Sequence, residues 1–214
     1  MKPTAPEHLP SLDELLEDVR EQPVDRFTHL IDRLHSAMQT HRNPTLAWAE
    51  TIFWLALIVA IFDHIVNQNG WVGGFIWALT IIPHEAGHLI CNPFGVFIMF
   101  LGGTIWQVLF WLIAAAWYGF GRKWWRVALV SLMIVGHSFI NASFYIADAS
   151  AREMPLLFGL SSDHHDWWNI LSMLGLLELD WAFAGIARTL GAFIVVGVAL
   201  AGAYLTWVRS PAHN

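Results

Sequence analysis

The sequence predicts an all-α fold, a polytopic membrane helical bundle of about five spans behind an N-terminal amphipathic helical segment. Three observations carry that expectation. Of 214 residues, 56% are hydrophobic and 13% charged, against about 25% charge in an ordinary soluble domain. Too few charges remain to cover a water-facing surface, and thirteen of the 28 fall in the first 42 residues. From Thr51 onward the apolar runs reach the roughly 20 residues that a hydrocarbon core requires. Trp48, Trp71, Trp117, Trp124, Trp125, Trp167, Trp168, Trp181 and Trp207 fall near the ends of those runs, where an amphipathic ring sits half in lipid and half among headgroups.

The chain divides into a polar and amphipathic segment, 1–45, and a membrane-embedded helical domain, 46–214. In the first, Ser11 and Glu14 have capping-box spacing, and Leu12, Leu15, Leu16 and Val19 follow at helical intervals. A second amphipathic stretch through Phe27, Leu30, Ile31, Leu34 and Met38 stops at Asn43-Pro44. The expected spans cover roughly 46–66, 71–91, 96–120, 125–148 and 185–208. Between the last two lies 149–184, with Asp163-His164-His165-Asp166-Trp167-Trp168 and a helical pattern over 169–179. Counting crossings puts the end of the second span and the 163–166 cluster on one side of the membrane. The same count puts Glu50 on that side and Asp63 and His64 on the other. Arg122, Lys123, Arg126 and Arg209 then face Arg33, Arg42 and Arg152 across the bilayer, too even a division to fix orientation by positive charge.

Several classes are excluded or disfavoured. A formal charge of −6 does not suit a nucleic-acid partner, which calls for a basic surface. Cys91 is the only cysteine, so neither an intrachain disulfide nor a thiolate zinc cluster can form. Too few spans and no paired inverted halves speak against a transporter.

The chemistry concentrates at His84-Glu85-Ala86-Gly87-His88. On a helix, positions i and i+4 share a face, so both imidazoles can address one cation. Glu85 is placed to take a proton from a metal-held water, whose pKa zinc lowers toward neutrality. Gly87 leaves room for a neighbouring backbone or a substrate. Ionisable residues inside a span are costly and usually functional, and Pro83 loosens the helix beside them by removing a backbone donor. The plainer reading is a polar helix end among headgroups. A second polar stripe, His137, Asn141, Tyr145 and Asp148, shares one face of the fourth span, open to catalysis or to hydrogen bonding between helices. Gly102-Gly103-Thr104 and Gln107 open the third span, for substrate approach or close packing.

A catalytic zinc takes three protein ligands plus water. The third is expected from 163–166, with His165 the first choice and Asp166 the second, or Asp166 orienting an imidazole from behind. Asp148, Asp163 and His164 are further candidates, and Ser162 or Asp163 could instead cap the following helix. The 149–166 stretch would then cover the site.

With its His-Glu-x-x-His motif in an apolar span, the chain resembles the site-2-protease-type intramembrane zinc metalloproteases. The resemblance implies His84 and His88 as ligands, Glu85 as general base, a third ligand from a later span, and a membrane protein or peptide as substrate. It is specific over about ten residues, with a loose fit of the glycine-rich 95–103. That family's third ligand is an Asp in an Asn-Pro…Leu-Asp-Gly element, which has no counterpart here: Leu177-Glu178-Leu179-Asp180 lacks the glycine and Asn92-Pro93 comes early. His165-Asp166 stands as its replacement. The expected function is a multi-pass, membrane-embedded, Zn2+-dependent hydrolase, a peptidase first or a lipid amidase or esterase. The alternative is a non-catalytic membrane subunit of a larger complex, binding pigment or haem or serving a packing role.

Overall fold

The computed structural model describes residues 44–67 and 71–207. The amphipathic helices expected before Asn43 lie outside the described residues. Those described form six α-helices without a strand. They are α1 (Pro44–Asn67), α2 (Trp71–Cys91), α3 (Val96–Ala116, continued by a π-helical turn over Trp117–Gly121), α4 (Trp125–Ala147), α5 (Asp166–Leu174) and α6 (Asp180–Trp207). The fold is the expected all-α bundle. α1 to α4 match the expected helix bounds closely, though four helices of the described residues and not five are apolar enough to cross, while α6 begins at Asp180, ahead of the expected 185. The 169–179 pattern resolves into α5, which ends sooner because Gly175 turns left-handed at φ 68°. There the Leu176 N–H donates back to the Leu171 carbonyl at 2.8 Å, satisfying an end carbonyl that the helix itself cannot pair.

α1, α3, α4 and α6 are each long and apolar enough to cross a membrane. α2 is 21 residues long, but Thr80, His84, Glu85 and His88 interrupt its apolar character. The helix continues through Pro83. α4 is the central helix, burying Met133, Ile134, Ile140 and His137 among many others. α1, α2 and α3 turn large apolar side chains outward, including Ile52, Phe53, Val59, Phe75, Ile82, Phe110 and Ile113. Outward apolar side chains in such number mark membrane or protein contact.

Small residues bring the helices together. Gly136 of α4 meets Gly191 of α6 so closely that a Cβ on either would strike the other's carbonyl oxygen, the contact by which membrane helices gain dispersion energy. Around it Trp54, Ile61, Ile76, Met133, Ile140 and Val195 form the principal core. Ser138 and Ser143 return their hydroxyls to carbonyls of their own helix, at 2.9 and 2.6 Å, so burying them leaves no donor open.

The start of α1 departs from the crossing count. Arg126, at the start of α4, donates to both carboxylate oxygens of Glu50 at 2.6 and 3.2 Å. Trp207, at the finish of α6, donates to Thr51 at 2.8 Å. Glu50 therefore belongs to the end of the bundle away from His84. The count took α2 as a crossing, whereas the four helices of the described residues that are apolar enough to cross do not include it.

Candidate metal centre

Three elements converge at the other end. α2 brings His84 and His88, one turn apart on one face. α3 lies against that face, and Gly87 and Gly102 touch backbone to backbone. The room expected beside Gly87 is thus filled by a neighbouring helix. Gly103 serves the imidazoles, since a Cβ there would stand 2.6 Å from His88 Nε2 and 2.8 Å from His84 Cε1. α5 supplies Asp166 from its first turn.

The distances define a small triangle. Asp166 Oδ2 lies 3.1 Å from His84 Nε2 and 3.3 Å from His88 Nε2. The two Nε2 atoms are 3.2 Å apart. A zinc ion with 2.0–2.1 Å bonds in tetrahedral coordination separates its ligand atoms by about 3.3–3.4 Å. His84, His88 and Asp166 could therefore hold a metal ion.

The far side of each ring sets its tautomer. His88 Nδ1 is 2.9 Å from the Met99 carbonyl, which only accepts, so Nδ1 carries the proton. His84 Nδ1 lies 3.1 Å from Gln107 Oε1, which accepts in the same way. Both Nε2 lone pairs are thus turned to the triangle's centre, as metal-ligating histidines require. Burial would raise the Asp166 carboxyl, but where an imidazole takes up a second proton on Nε2 its N–H donates to Oδ2, and such bonds from His84 and His88 outweigh burial and hold the group below the usual carboxylate range.

His165, the first choice for third ligand, is occupied otherwise. It precedes α5 as the cap residue, and its Nδ1 accepts the Trp168 N–H at 3.1 Å. Its Nε2 faces Asp148 Oδ2 at 3.3 Å. Burial pushes this imidazole below its ordinary range, against the opposing pull of Asp148. Asp148 also accepts the Glu153 and Met154 N–H groups, both at 3.0 Å, so it ties the loop after α4 to the foot of α5. Asp163 is exposed and 3.5 Å from Arg152, and His164 bonds with Ser161 at 3.1 Å. The cap belongs to an imidazole and not to Ser162 or Asp163, which is why Asp166 is the member of 163–166 that reaches the pair.

A cavity of about 370 Å³ opens on the triangle, within the roughly 300–1,000 Å³ of small-ligand sites. Glu85 lines it together with Asn141 and Tyr145 from the α4 stripe. Trp77, Ile81 and Phe100 form apolar wall, and Met154, Leu156, Leu157 and Leu160 from the loop after α4 border the same space. That loop is held by Asp148 and by Arg152, whose guanidinium lies 4.4 Å from the Trp168 ring centre. Thr104 accepts the Trp167 indole N–H at 3.2 Å, so the Gly102-Gly103-Thr104 stretch serves packing, the imidazole rings and the α5 foot in turn. Compared with known proteins, the chain matches no family model, no curated protein and no solved structure.

Proposed function

We propose that the chain is a multi-pass integral membrane protein and a zinc-dependent hydrolase, with His84, His88 and Asp166 as ligands and Glu85 as general base. The observation that carries this reading is the triangle of Nε2, Nε2 and Oδ2 atoms at 3.1–3.3 Å, with Glu85 lining the same cavity. Two lone pairs and a carboxylate oxygen repel one another at that separation, and either a proton on an imidazole or a metal ion among them relieves it. Arg152, on the loop that borders the cavity, is with Trp168 and Asp163.

Zinc held there would acidify a bound water, lowering its pKa from about 15.7 toward 7. The chain's own groups do the rest. Gln107 and the Met99 carbonyl fix the imidazole tautomers. Asp166 contributes the one anionic ligand. Glu85, adjacent to a ligand and open to the cavity, accepts the water's proton and returns it to the leaving group. The long apolar helices and outward apolar faces support placement in a bilayer. The scissile bond is a carboxylic amide or ester. A peptide substrate follows from the resemblance to site-2-protease-type enzymes, in which Asp166 would take the place of that family's third ligand. A haem or pigment subunit fits less well, since imidazole nitrogens 3.2 Å apart address one point and cannot flank a macrocycle.

The test is metal analysis of the detergent-purified chain, paired with cleavage of a single-pass membrane peptide in vesicles. About one zinc per chain is expected, lost in His84→Ala/His88→Ala. Glu85→Gln should keep the zinc while cleavage falls by about 100-fold or more. Zinc that survives the double substitution would remove the reading, and metal loss in Glu85→Gln would make Glu85 a ligand.

A further inference from the structure

We infer that the Tyr145 hydroxyl is the donor that steadies the substrate's carbonyl oxygen during hydrolysis, an assignment that rests on the hydrolase reading above. Tyr145 lies on α4, half-buried, and lines the cavity that contains the histidine pair and Glu85. Two contacts fix it. Its ring lies against His165 with centroids 4.0 Å apart, and its oxygen accepts the Asp166 backbone N–H at 3.1 Å. The hydroxyl is thereby tied to the residue whose carboxylate meets His84 and His88.

A phenol offers one proton and two lone pairs. The bond from Asp166 uses a lone pair, so the proton remains to be donated. Gln107 Oε1 and the Met99 carbonyl accept from the two rings. Glu85 and Tyr145 stand on different helices, α2 and α4, which both wall the cavity. A carbonyl placed between them has an acceptor for the water's proton on one side and a donor for its own oxygen on the other. That is the arrangement acyl hydrolysis needs, because negative charge develops on that oxygen and not before.

The step balances without a further reactant. The water oxygen's lone pair forms the new bond to carbon, the carbonyl π pair moves onto its oxygen, and the water's proton passes to Glu85. The Tyr145 proton stays on the phenol and is shared with the new alkoxide as a hydrogen bond. Collapse restores the carbonyl and breaks the bond to the leaving nitrogen or oxygen, which takes the proton from Glu85.

The experiment uses the full chain in detergent, loaded with Co2+ and followed by its visible absorption bands. Two probes are titrated: acetohydroxamate, which presents a carbonyl oxygen to the site, and imidazole, which occupies a metal position without an oxygen. Tyr145→Phe keeps the ring and removes only the hydroxyl. The expected result is an unchanged cobalt spectrum, unchanged imidazole affinity, and hydroxamate binding weakened on the order of 10- to 100-fold, the loss of one hydrogen bond to a charged group. Equal hydroxamate affinity in the two proteins overturns the assignment. So does a changed cobalt spectrum or a parallel loss for both probes, because Tyr145 would then only position Asp166. An absence of cobalt bands in the unsubstituted chain sinks the metal reading and this inference together. That failure is distinct from the others.

Discussion

The two ends of the bundle bury ionisable groups in opposite ways. At the end where α4 begins, Glu50 and Arg126 meet through two hydrogen bonds, and Arg126 also lies 4.2 Å from the Trp125 ring centre. Each charge has its complement, and nothing further is needed. At the other end three acceptors, His84 Nε2, His88 Nε2 and Asp166 Oδ2, are drawn within 3.3 Å of one another. The hydrogen-bond donors around them turn away from the centre. A closed ion pair is a sufficient account of itself, whereas three convergent ligand atoms could hold a metal ion. On the proposed function, that contrast separates structural from functional charge without appeal to the motif.

Substitutions at the site end should therefore change metal binding and spare the fold, and substitutions at the other end should do the reverse. The largest effect is expected from Gly103→Ala. Its Cβ would stand 2.6 Å from His88 Nε2, closer than real contacts allow, so the ring must leave the triangle. Zinc affinity in chelator competition should fall about 100-fold or more, a ligand's worth of binding. The helix itself loses nothing, since Ala exceeds Gly in helix propensity by about 1 kcal/mol. Unaltered zinc affinity would mean that the imidazoles bind no metal where they stand.

A smaller loss is expected from Gln107→Leu, which frees the His84 ring to turn. Removing such a partner costs about 10- to 100-fold in metal affinity, again read by chelator competition, with Glu50→Gln as the comparison. Glu50→Gln leaves Arg126 without its carboxylate and should cost about 1.5–3 kcal/mol of unfolding free energy, measured by denaturation in detergent, with zinc content unchanged. Zinc loss in that variant would erase the distinction between the two ends.

The helices were legible because each apolar run is bounded by residues that stop it: Asn43-Pro44, Asn92-Pro93 with Gly95, and Gly121 to Lys123. The pairing of the second span's end with 163–166 was legible as well, since counting α3 and α4 as two crossings needs no knowledge of side-chain direction. The same count misplaced Glu50, because it took the second span as a full crossing, and Thr80, His84, Glu85 and His88 leave α2 outside the four helices apolar enough to cross. At the site, His84, Glu85 and His88 could be read from spacing alone. The preference for His165 over Asp166 could not be corrected from sequence. It turns on where α5 begins: a residue at the cap spends its side chain on the Trp168 N–H, and the next residue is the one that projects inward. Ser, Thr, Asp and Asn are the usual caps, so an imidazole there gave no warning. The Met99 carbonyl is a backbone group, visible to no motif.

Zinc X-ray absorption on the purified, unsubstituted chain tests the centre most directly. The expected spectrum has two imidazole nitrogens and oxygen neighbours at about 2.0–2.2 Å, with the oxygen contribution diminished in Asp166→Ala and preserved in His165→Gln. A third imidazole that disappears in His165→Gln, or a sulfur shell at about 2.3 Å from Cys91, would contradict the assignment of His84, His88 and Asp166.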